Sequence, residues 1–206
     1  MKIILKKVLV VVLALVFGQS LMAEERSEVK KVEDRFAKKV DEVILIVQDK
    51  TLDVDIRNDK IVECLRPIFD FELMAKLSLG KKIWMSLDKA KRKEFVELYV
   101  KRMENSYSSK LNSYKNEVID IEKVVQKKNK MQIFTKVRSK HEALEVVYKL
   151  YKTRKPKPQK DPWLIYDVEI IGISILKADK AQFKEYLQKN SIEDLMKVIT
   201  KKKLDS

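Results

Sequence analysis

This sequence of 206 residues contains one histidine, one cysteine and three glycines. The single histidine, His141, lies in the polar segment SKHE, which excludes a multi-histidine metal site and argues against a histidine-based triad. The single cysteine, Cys64, cannot form an internal disulfide, and its place on an apolar helical stripe favours core packing over nucleophilic chemistry. Three glycines are too few for a phosphate-cradling loop. We therefore expect neither an enzyme nor a metal site.

Long hydrophobic runs are also absent, apart from one near the N-terminus. Lysines among the first seven residues precede an apolar run from Val8 to Phe17, and small or polar residues lead to Ala23. The run is shorter than the ~20 residues that a membrane span needs, and the charged segment EERSEVKK follows at once. This pattern predicts a signal peptide over residues 1–23 and an exported, soluble protein, with a membrane anchor as the alternative.

Acidic residues are outnumbered, because 45 Lys and Arg against 31 Asp and Glu give a formal net charge of +14. Lysine far outnumbers arginine, and no aromatic and glycine-rich RNA-binding signature occurs, so we expect no nucleic-acid partner. In an exported protein, anionic lipid headgroups or acidic partner surfaces are the expected counterparts. The basic segment KTRKPKPQK, residues 152–160, is either a docking element or a solvated loop.

The first half of the mature chain shows helical periodicity. Phe36 begins an apolar stripe with spacings of three and four residues. Asp70 predicts the N-cap of a helix in FELMAKLSLG that ends at Gly80. Ser86 predicts the N-cap of a further, long helix.

After about residue 115 the pattern changes to that of strands: EVIDIEKVVQ, KMQIFTKVR, ALEVVYKLY and WLIYDVEII. Short connections between them favour antiparallel neighbours. Helical patterns over 180–189 and 191–201 then close the chain. The sequence predicts one α+β domain over residues 24–206, with an antiparallel sheet of about four strands packed against N-terminal and C-terminal helices.

The segment WLIYDVEIIGIS places an acid inside an apolar strand. We interpret Asp167 as a structural carboxylate, bonded to the backbone or to a tyrosine, because no second carboxylate with a definable geometry accompanies it. Gly172 is expected to let the chain turn sharply out of this strand, in a structural turn that also contains Ser174.

A set of short segments, taken in chain order, points to a known family. They are RPIFDF (66–71), LGKKIW (79–84), FVELY (95–99), YDVEIIGIS (166–174) and QF (182–183). Their order and spacing resemble those of the MlaC family of periplasmic phospholipid-binding proteins, also called toluene-tolerance auxiliary proteins. The resemblance covers about the whole mature chain. One departure is the family's Asn-Tyr-Arg segment, which is replaced here by Ala178, Asp179 and Lys180.

The resemblance implies a soluble periplasmic shuttle that carries phospholipid and requires no cofactor. Its implied partners are an outer-membrane lipoprotein complex and an inner-membrane ABC transporter with an MCE-domain component, in a system that maintains outer-membrane lipid asymmetry. We expect the shuttle itself to be a monomer.

A phospholipid carrier must enclose acyl chains in an apolar pocket between sheet and helices. Apolar and adaptable side chains are the expected lining, although periodicity alone favours an ordinary core. The expected lining residues are Leu73, Met74, Leu77, Leu79, Trp84, Tyr99, Met103, Tyr107, Tyr148, Leu150, Tyr166, Val168 and Ile173. Because methionine and tyrosine repack easily, we expect little acyl-chain specificity.

Other classes of function stay open from the sequence. One is an exported basic interaction module that binds a partner protein and has no lipid cavity. The other is an exported lipid hydrolase, which the missing nucleophile and base disfavour.

Overall fold

The computed structural model describes residues 2–112, 117–139, 142–154 and 158–201, with side chains from Glu24 onward except at 107–112. The side chain of Tyr107, His141 and residues 155–157 of the basic loop therefore lie outside the described part. The elements in chain order are α1 (Lys2–Gln48), α2 (Val54–Leu65), α3 (Phe71–Leu79), α4 (Lys81–Ser86), α5 (Lys89–Asn112), β1 (Val118–Lys127), β2 (Lys130–Arg138), β3 (Ala143–Lys152), β4 (Trp163–Ile170), β5 (Ile173–Ser174), α6 (Ile175–Tyr186) and α7 (Ile192–Val198).

The predicted strands match the sheet closely. All strands are antiparallel to their neighbours, in the order β1-β2-β3-β4-β5. The fold is α+β, as expected, and the described residues form five strands where about four were predicted. The extra strand, β5, pairs with the end of β4 across a two-residue turn at Ile171 and Gly172, both of which have positive φ. Such a short hairpin leaves no separate run of alternation in the sequence.

The cap residues of α3 are those that the sequence predicts. The side chain of Asp70 accepts a hydrogen bond from the backbone N–H of Leu73 at 3.0 Å, and Gly80 ends the helix with a φ of +84°. A positive φ strains residues that carry a Cβ, which is why glycine suits this position.

The prediction that Ser86 caps the long helix is wrong. Ser86 is the last residue of α4, and its hydroxyl donates to the carbonyl oxygen of Ile83 at 2.8 Å. The backbone becomes extended at Leu87, and Asp88 accepts the backbone N–H of Lys91 at 2.8 Å. The chain therefore forms two helices here, and the acid closer to α5 supplies its cap.

The C-terminal helices begin with serine caps. Ser191 accepts from the backbone N–H of Asp194 at 3.1 Å at the start of α7, as predicted. Helix α6 starts at Ile175, five residues before the expected 180, because Ser174 accepts the N–H of Lys177 and starts the helix directly after β5.

Helix α1 spans the N-terminal segment and continues to Gln48. Beyond Glu24 it buries Val32, Phe36 and Val47 against the rest of the molecule. Among the residues that the structure describes, no helix has the length and apolar character needed to cross a membrane. The signal peptide over 1–23 stays a prediction.

Candidate functional site

An apolar cavity of about 300 Å³ lies between α1, α2 and the sheet. Helices α5 and α6 and the chain after α2 complete its wall. Its described lining residues are Phe36, Lys39, Val40, Val43, Ile61, Leu65, Ile68, Phe69, Met103, Ile119, Val146, Tyr148, Val168, Ile170 and Ile175. The cavity wall is thus built from residues far apart in the chain.

The inner part of this wall is buried. Phe36, Ile61 and Val168 are each less than 10% exposed. The rings of Phe36 and Tyr148 meet edge to face with their centroids 4.7 Å apart, an arrangement that aromatic pairs favour. Burial raises the pKa of Tyr148 to about 12, so its phenol is neutral at physiological pH.

The side chain of Lys39 is 24% exposed, and we call the side of the cavity on which it lies the mouth. Val43, Ile119, Ile170 and Ile175 are further half-buried lining residues. Lys39 is the one charged residue among the described lining residues. Its ammonium donates to Oε2 of Glu42 at 2.5 Å, and this hydrogen bond raises the pKa of Lys39 and lowers that of Glu42.

Cys64 lies beside this ion pair and is not set up as a nucleophile. Its thiol is 3.4 Å from the same Glu42 oxygen, to which it donates. Burial, followed by the bond to Glu42, raises the pKa of the Cys64 thiol. A thiol with a raised pKa stays protonated and unreactive at neutral pH.

The structure brings together only part of the lining set expected from the sequence. Met103, Tyr148 and Val168 line the apolar cavity. Leu150 lines a small adjoining void with Val32, Phe36 and Trp163. The side chain of Tyr107 lies outside the described residues.

The other expected lining residues lie elsewhere. Met74, Leu79 and Tyr99 are buried in the packed core. Leu77 and Ile173 are exposed, Leu73 is half-buried outside the cavity, and Trp84 lines a separate cleft. Helices α3 and α5 have apolar stripes like those of α1 and α2, but α3 packs against α5 and α6 instead of bordering the cavity.

Tyr166 is turned away from the cavity by a β-bulge. Leu150 pairs with Ile165 and Lys149 with Asp167, so Tyr166 has no partner in the register between β3 and β4. Its ring packs edge to face against Tyr151, with centroids 6.1 Å apart. A bulge adds one residue to the alternation of faces, and the expected placement of Tyr166 beside Val168 fails for that reason.

The side chains that sequence reasoning missed come mainly from α1 and α2, including Phe36, Val40, Val43, Ile61 and Leu65. Their helical stripe is visible in the sequence. Nothing in the sequence distinguishes a stripe that borders a cavity from one that fills a core.

Asp167 links the sheet to α6. One of its carboxylate oxygens accepts from the hydroxyl of Ser174 at 2.8 Å and from Lys149 at 3.2 Å, and the other accepts from the backbone N–H of Leu176 at 3.2 Å. No tyrosine bonds to it among the hydrogen bonds of the described residues. Burial disfavours the charged form of Lys149, but its bonds to Glu169 and Asp167 outweigh this and raise its pKa.

A second, larger cleft of about 620 Å³ is lined by residues of α3, α4 and α5. Five of its eight described lining residues are charged: Glu72, Lys89, Arg92, Lys93 and Glu97. A charged cleft keeps apolar chains in contact with water and polar groups. The smaller cavity is therefore the better site for an apolar ligand.

The fold and the cavity define a small α+β protein in which helices and an antiparallel sheet enclose an apolar space. A family model described as MlaC protein matches residues 37–201. The chain therefore belongs to the MlaC family, as the motifs predicted.

The fold is similar to that of the phospholipid-binding protein from Ralstonia solanacearum, solved in complex with a phospholipid. The TM-score is 0.70 at 15% sequence identity, and the match covers 81% of this chain and 93% of that chain. No curated protein sequence matches the chain.

Proposed function

We propose that this protein is a phospholipid carrier of the periplasm. The acyl chains occupy the apolar cavity between α1, α2 and the sheet, and the headgroup stays at its mouth. The carrier moves lipid between an outer-membrane lipoprotein complex and an inner-membrane ABC transporter with an MCE-domain component, and so maintains outer-membrane lipid asymmetry. Family membership and the fold shared with a phospholipid-binding protein support the proposal.

The observation that carries the proposal is the composition of the cavity wall. All but one of its described lining residues are apolar or aromatic. Each methylene group that leaves water and packs against such a wall stabilises the bound state by about 0.8 kcal/mol. A soluble carrier must provide this gain, because an acyl chain otherwise stays in the bilayer.

The cavity volume suggests that the carrier widens as lipid enters. About 300 Å³ is at the lower end of the ~300–1,000 Å³ typical of ligand pockets, and two long acyl chains need more space. Helices α1 and α2 form one side of the wall, the sheet forms the other, and α5, α6 and the chain after α2 complete it, so outward movement of α1 and α2 increases the volume without breaking strand pairing.

The N-terminal segment fits the same role. The segment is removed after Ala23, so that the mature periplasmic chain begins at Glu24. The carrier performs no catalytic step, in agreement with the raised pKa of the Cys64 thiol, which keeps the thiol protonated.

The proposal is tested by mass spectrometry of lipid that copurifies with the protein. The full chain is expressed in a Gram-negative host and purified from the periplasm without detergent. We expect stoichiometric glycerophospholipid and an N-terminus at Glu24. Protein that carries no lipid and takes up none from phospholipid vesicles would contradict the carrier function and favour an interaction module.

A further inference from the structure

Among the described lining residues of the cavity, Lys39 places a single ammonium group in an otherwise apolar wall. Lys39 is on α1, three residues after Phe36 and four before Val43, and all three residues line the cavity. Residues at these spacings share one face of a helix. The aliphatic stem of Lys39 therefore lies along the cavity, as lysine stems do on apolar surfaces.

The ammonium of Lys39 also reaches solvent, since the side chain is 24% exposed. Glu42 accepts one hydrogen bond from this group, with Nζ and Oε2 2.5 Å apart. An ammonium has three N–H donors, so the ion pair leaves donor capacity at the mouth of the cavity. The position combines a positive charge, contact with the apolar space and access to water.

From this position we propose that Lys39 binds the phosphodiester group of the carried lipid. The inference rests on the proposed carrier function and assigns the headgroup contact within it. The phosphate is the charged group closest to the acyl chains of every glycerophospholipid, and in those with a further headgroup it is a phosphodiester, so it lies at the mouth when the chains fill the cavity. Groups beyond the phosphate then project into solvent, and Lys39 selects for phosphate without selecting among headgroups.

Glu42 has a defined part in this arrangement. It keeps the ammonium paired when no phosphate is present, which limits the cost of holding a charge beside an apolar wall. It also repels an incoming anion, so lipid release from the mouth stays possible. Charge-assisted hydrogen bonds beside apolar walls are stronger than those in open water.

The test compares two lipids that have the same acyl chains, one with a phosphate group and one without. Protein purified from cells that express the full chain is incubated with vesicles containing phosphatidylglycerol and diacylglycerol, then reisolated, and its bound lipids are quantified by mass spectrometry. For Lys39→Met we expect the bound ratio of phosphatidylglycerol to diacylglycerol to fall about tenfold, the effect of one charge-assisted hydrogen bond. Lys39→Arg should keep the wild-type ratio.

Matched variants separate this contact from simpler causes. Lys38→Met removes the same charge from the adjacent, exposed position and should leave the ratio unchanged. In Lys39→Met the carboxylate of Glu42 loses its Lys39 partner and could repel the lipid phosphate. The double variant Lys39→Met/Glu42→Gln removes this carboxylate as well, and its bound ratio of phosphatidylglycerol to diacylglycerol should still be severalfold below that of the wild type. Restoration of the wild-type ratio there would show that Glu42 repulsion caused the loss, and would overturn the assignment.

Further outcomes distinguish the two proposals and the source of the phosphate. An equal loss of both lipids in Lys39→Met means that Lys39 only supports the wall, which overturns the contact and leaves the carrier function standing. Uptake of neither lipid by the wild type overturns the carrier function and the contact with it. Millimolar inorganic phosphate should not reduce phosphatidylglycerol uptake. If it does, Lys39 is a binding site for free phosphate, and the assignment to the lipid phosphate is overturned.

Discussion

Ile171 holds a backbone conformation that β-branched residues rarely adopt. Its φ is +48°, and with Gly172 at +73° it forms the two-residue turn between β4 and β5. The left-handed region costs a residue with a Cβ roughly 1–2 kcal/mol, and Asn-Gly is the favoured pair for turns with two positive φ values. The side chain of Ile171 is 67% exposed, so its burial does not compensate for the strain.

We therefore predict that Ile171→Asn stabilises the protein by about 1 kcal/mol, which corresponds to a melting temperature about 2–4 °C higher. Thermal unfolding followed by circular dichroism measures this. Ile173→Asn is the control, because Ile173 is equally exposed but does not have a positive φ. Equal effects of both substitutions would mean that surface polarity, and not relief of strain, changes the melting temperature.

Asp167, a buried residue of β4, connects the sheet to the start of α6. It receives hydrogen bonds from β3, from the serine that caps α6 and from the first turn of α6. A buried carboxylate is tolerated only when such partners replace its water. In this way one acid joins the sheet to the helix that follows β5.

At the scale of elements, Arg102 of α5 connects the two C-terminal helices. Its side chain donates to Asp179 of α6 at 3.1 Å and to the carbonyl oxygens of Ile199 and Lys201, after α7, at 3.2 and 3.1 Å. Asp179 also accepts from the hydroxyl of Tyr99 at 2.9 Å. Asp179 lies where the chain departs from the family motif, and here it is part of a buried ion pair.

We predict that Arg102→Met lowers the free energy of unfolding by about 3 kcal/mol, because it leaves the Asp179 carboxylate buried without its cation. Urea unfolding measures the loss of unfolding free energy. The rate of amide hydrogen exchange should increase more in α7 than in the other helices. Lys91→Met is the matched control, since the exposed pair between Lys91 and Glu193 also joins α5 to α7. That control should leave stability nearly unchanged.

The defect of Arg102→Met should depend on pH. Burial raises the pKa of Asp179, while Arg102 and Tyr99 lower it in part, so loss of Arg102 raises it further. A raised carboxyl pKa adds stability below the unfolded-state pKa of about 3.9, and that stability is lost as the pH rises through the folded-state value. The difference from wild type should be smaller near pH 4 than at neutral pH, while the part due to the lost bonds to the carbonyl oxygens of Ile199 and Lys201 stays the same at every pH. A difference that is constant from pH 4 to neutral pH would contradict the assignment.

At the scale of the whole molecule, the cavity is where sheet and helices fail to fill the space between them. Val168→Phe places a larger side chain in that space, so we predict a severalfold loss of copurified phospholipid with a stability change of at most about 1 kcal/mol. The lipid-to-protein ratio by mass spectrometry and urea unfolding test both parts. Val125→Phe, at a position in β1 that is 44% exposed, is the control and should keep its lipid.

Much of the architecture is predictable because its signals are local. The strand boundaries follow from alternation, and Asp70, Gly80 and Ser191 mark helix ends through bonds to neighbouring backbone groups. The prediction of an N-cap at Ser86 failed because Asp88, two residues later, accepts the backbone N–H at the start of α5 instead. The late start expected for α6 failed because the cap at Ser174 lies inside a motif that was interpreted as a turn.

The candidate site was predictable only in part. Met103, Tyr148 and Val168 were expected from the sequence, but Tyr166 was misplaced because a bulge between two strands leaves no mark in either strand alone. The apolar stripes of α1 and α2 were visible without any indication that they face a cavity. Lys39 is one of 45 basic residues, and nothing in the sequence separates it from the others.

The sequence by itself determined the kinds of element, their order and the family, because periodicity, caps and motif spacing are properties of neighbouring residues. The tertiary structure decided which apolar faces fill a core and which border a cavity, and which lysine stands at its mouth. Those outcomes depend on the packing of segments far apart in the chain. A stripe of apolar residues has the same pattern whether its partner is another side chain or an open space.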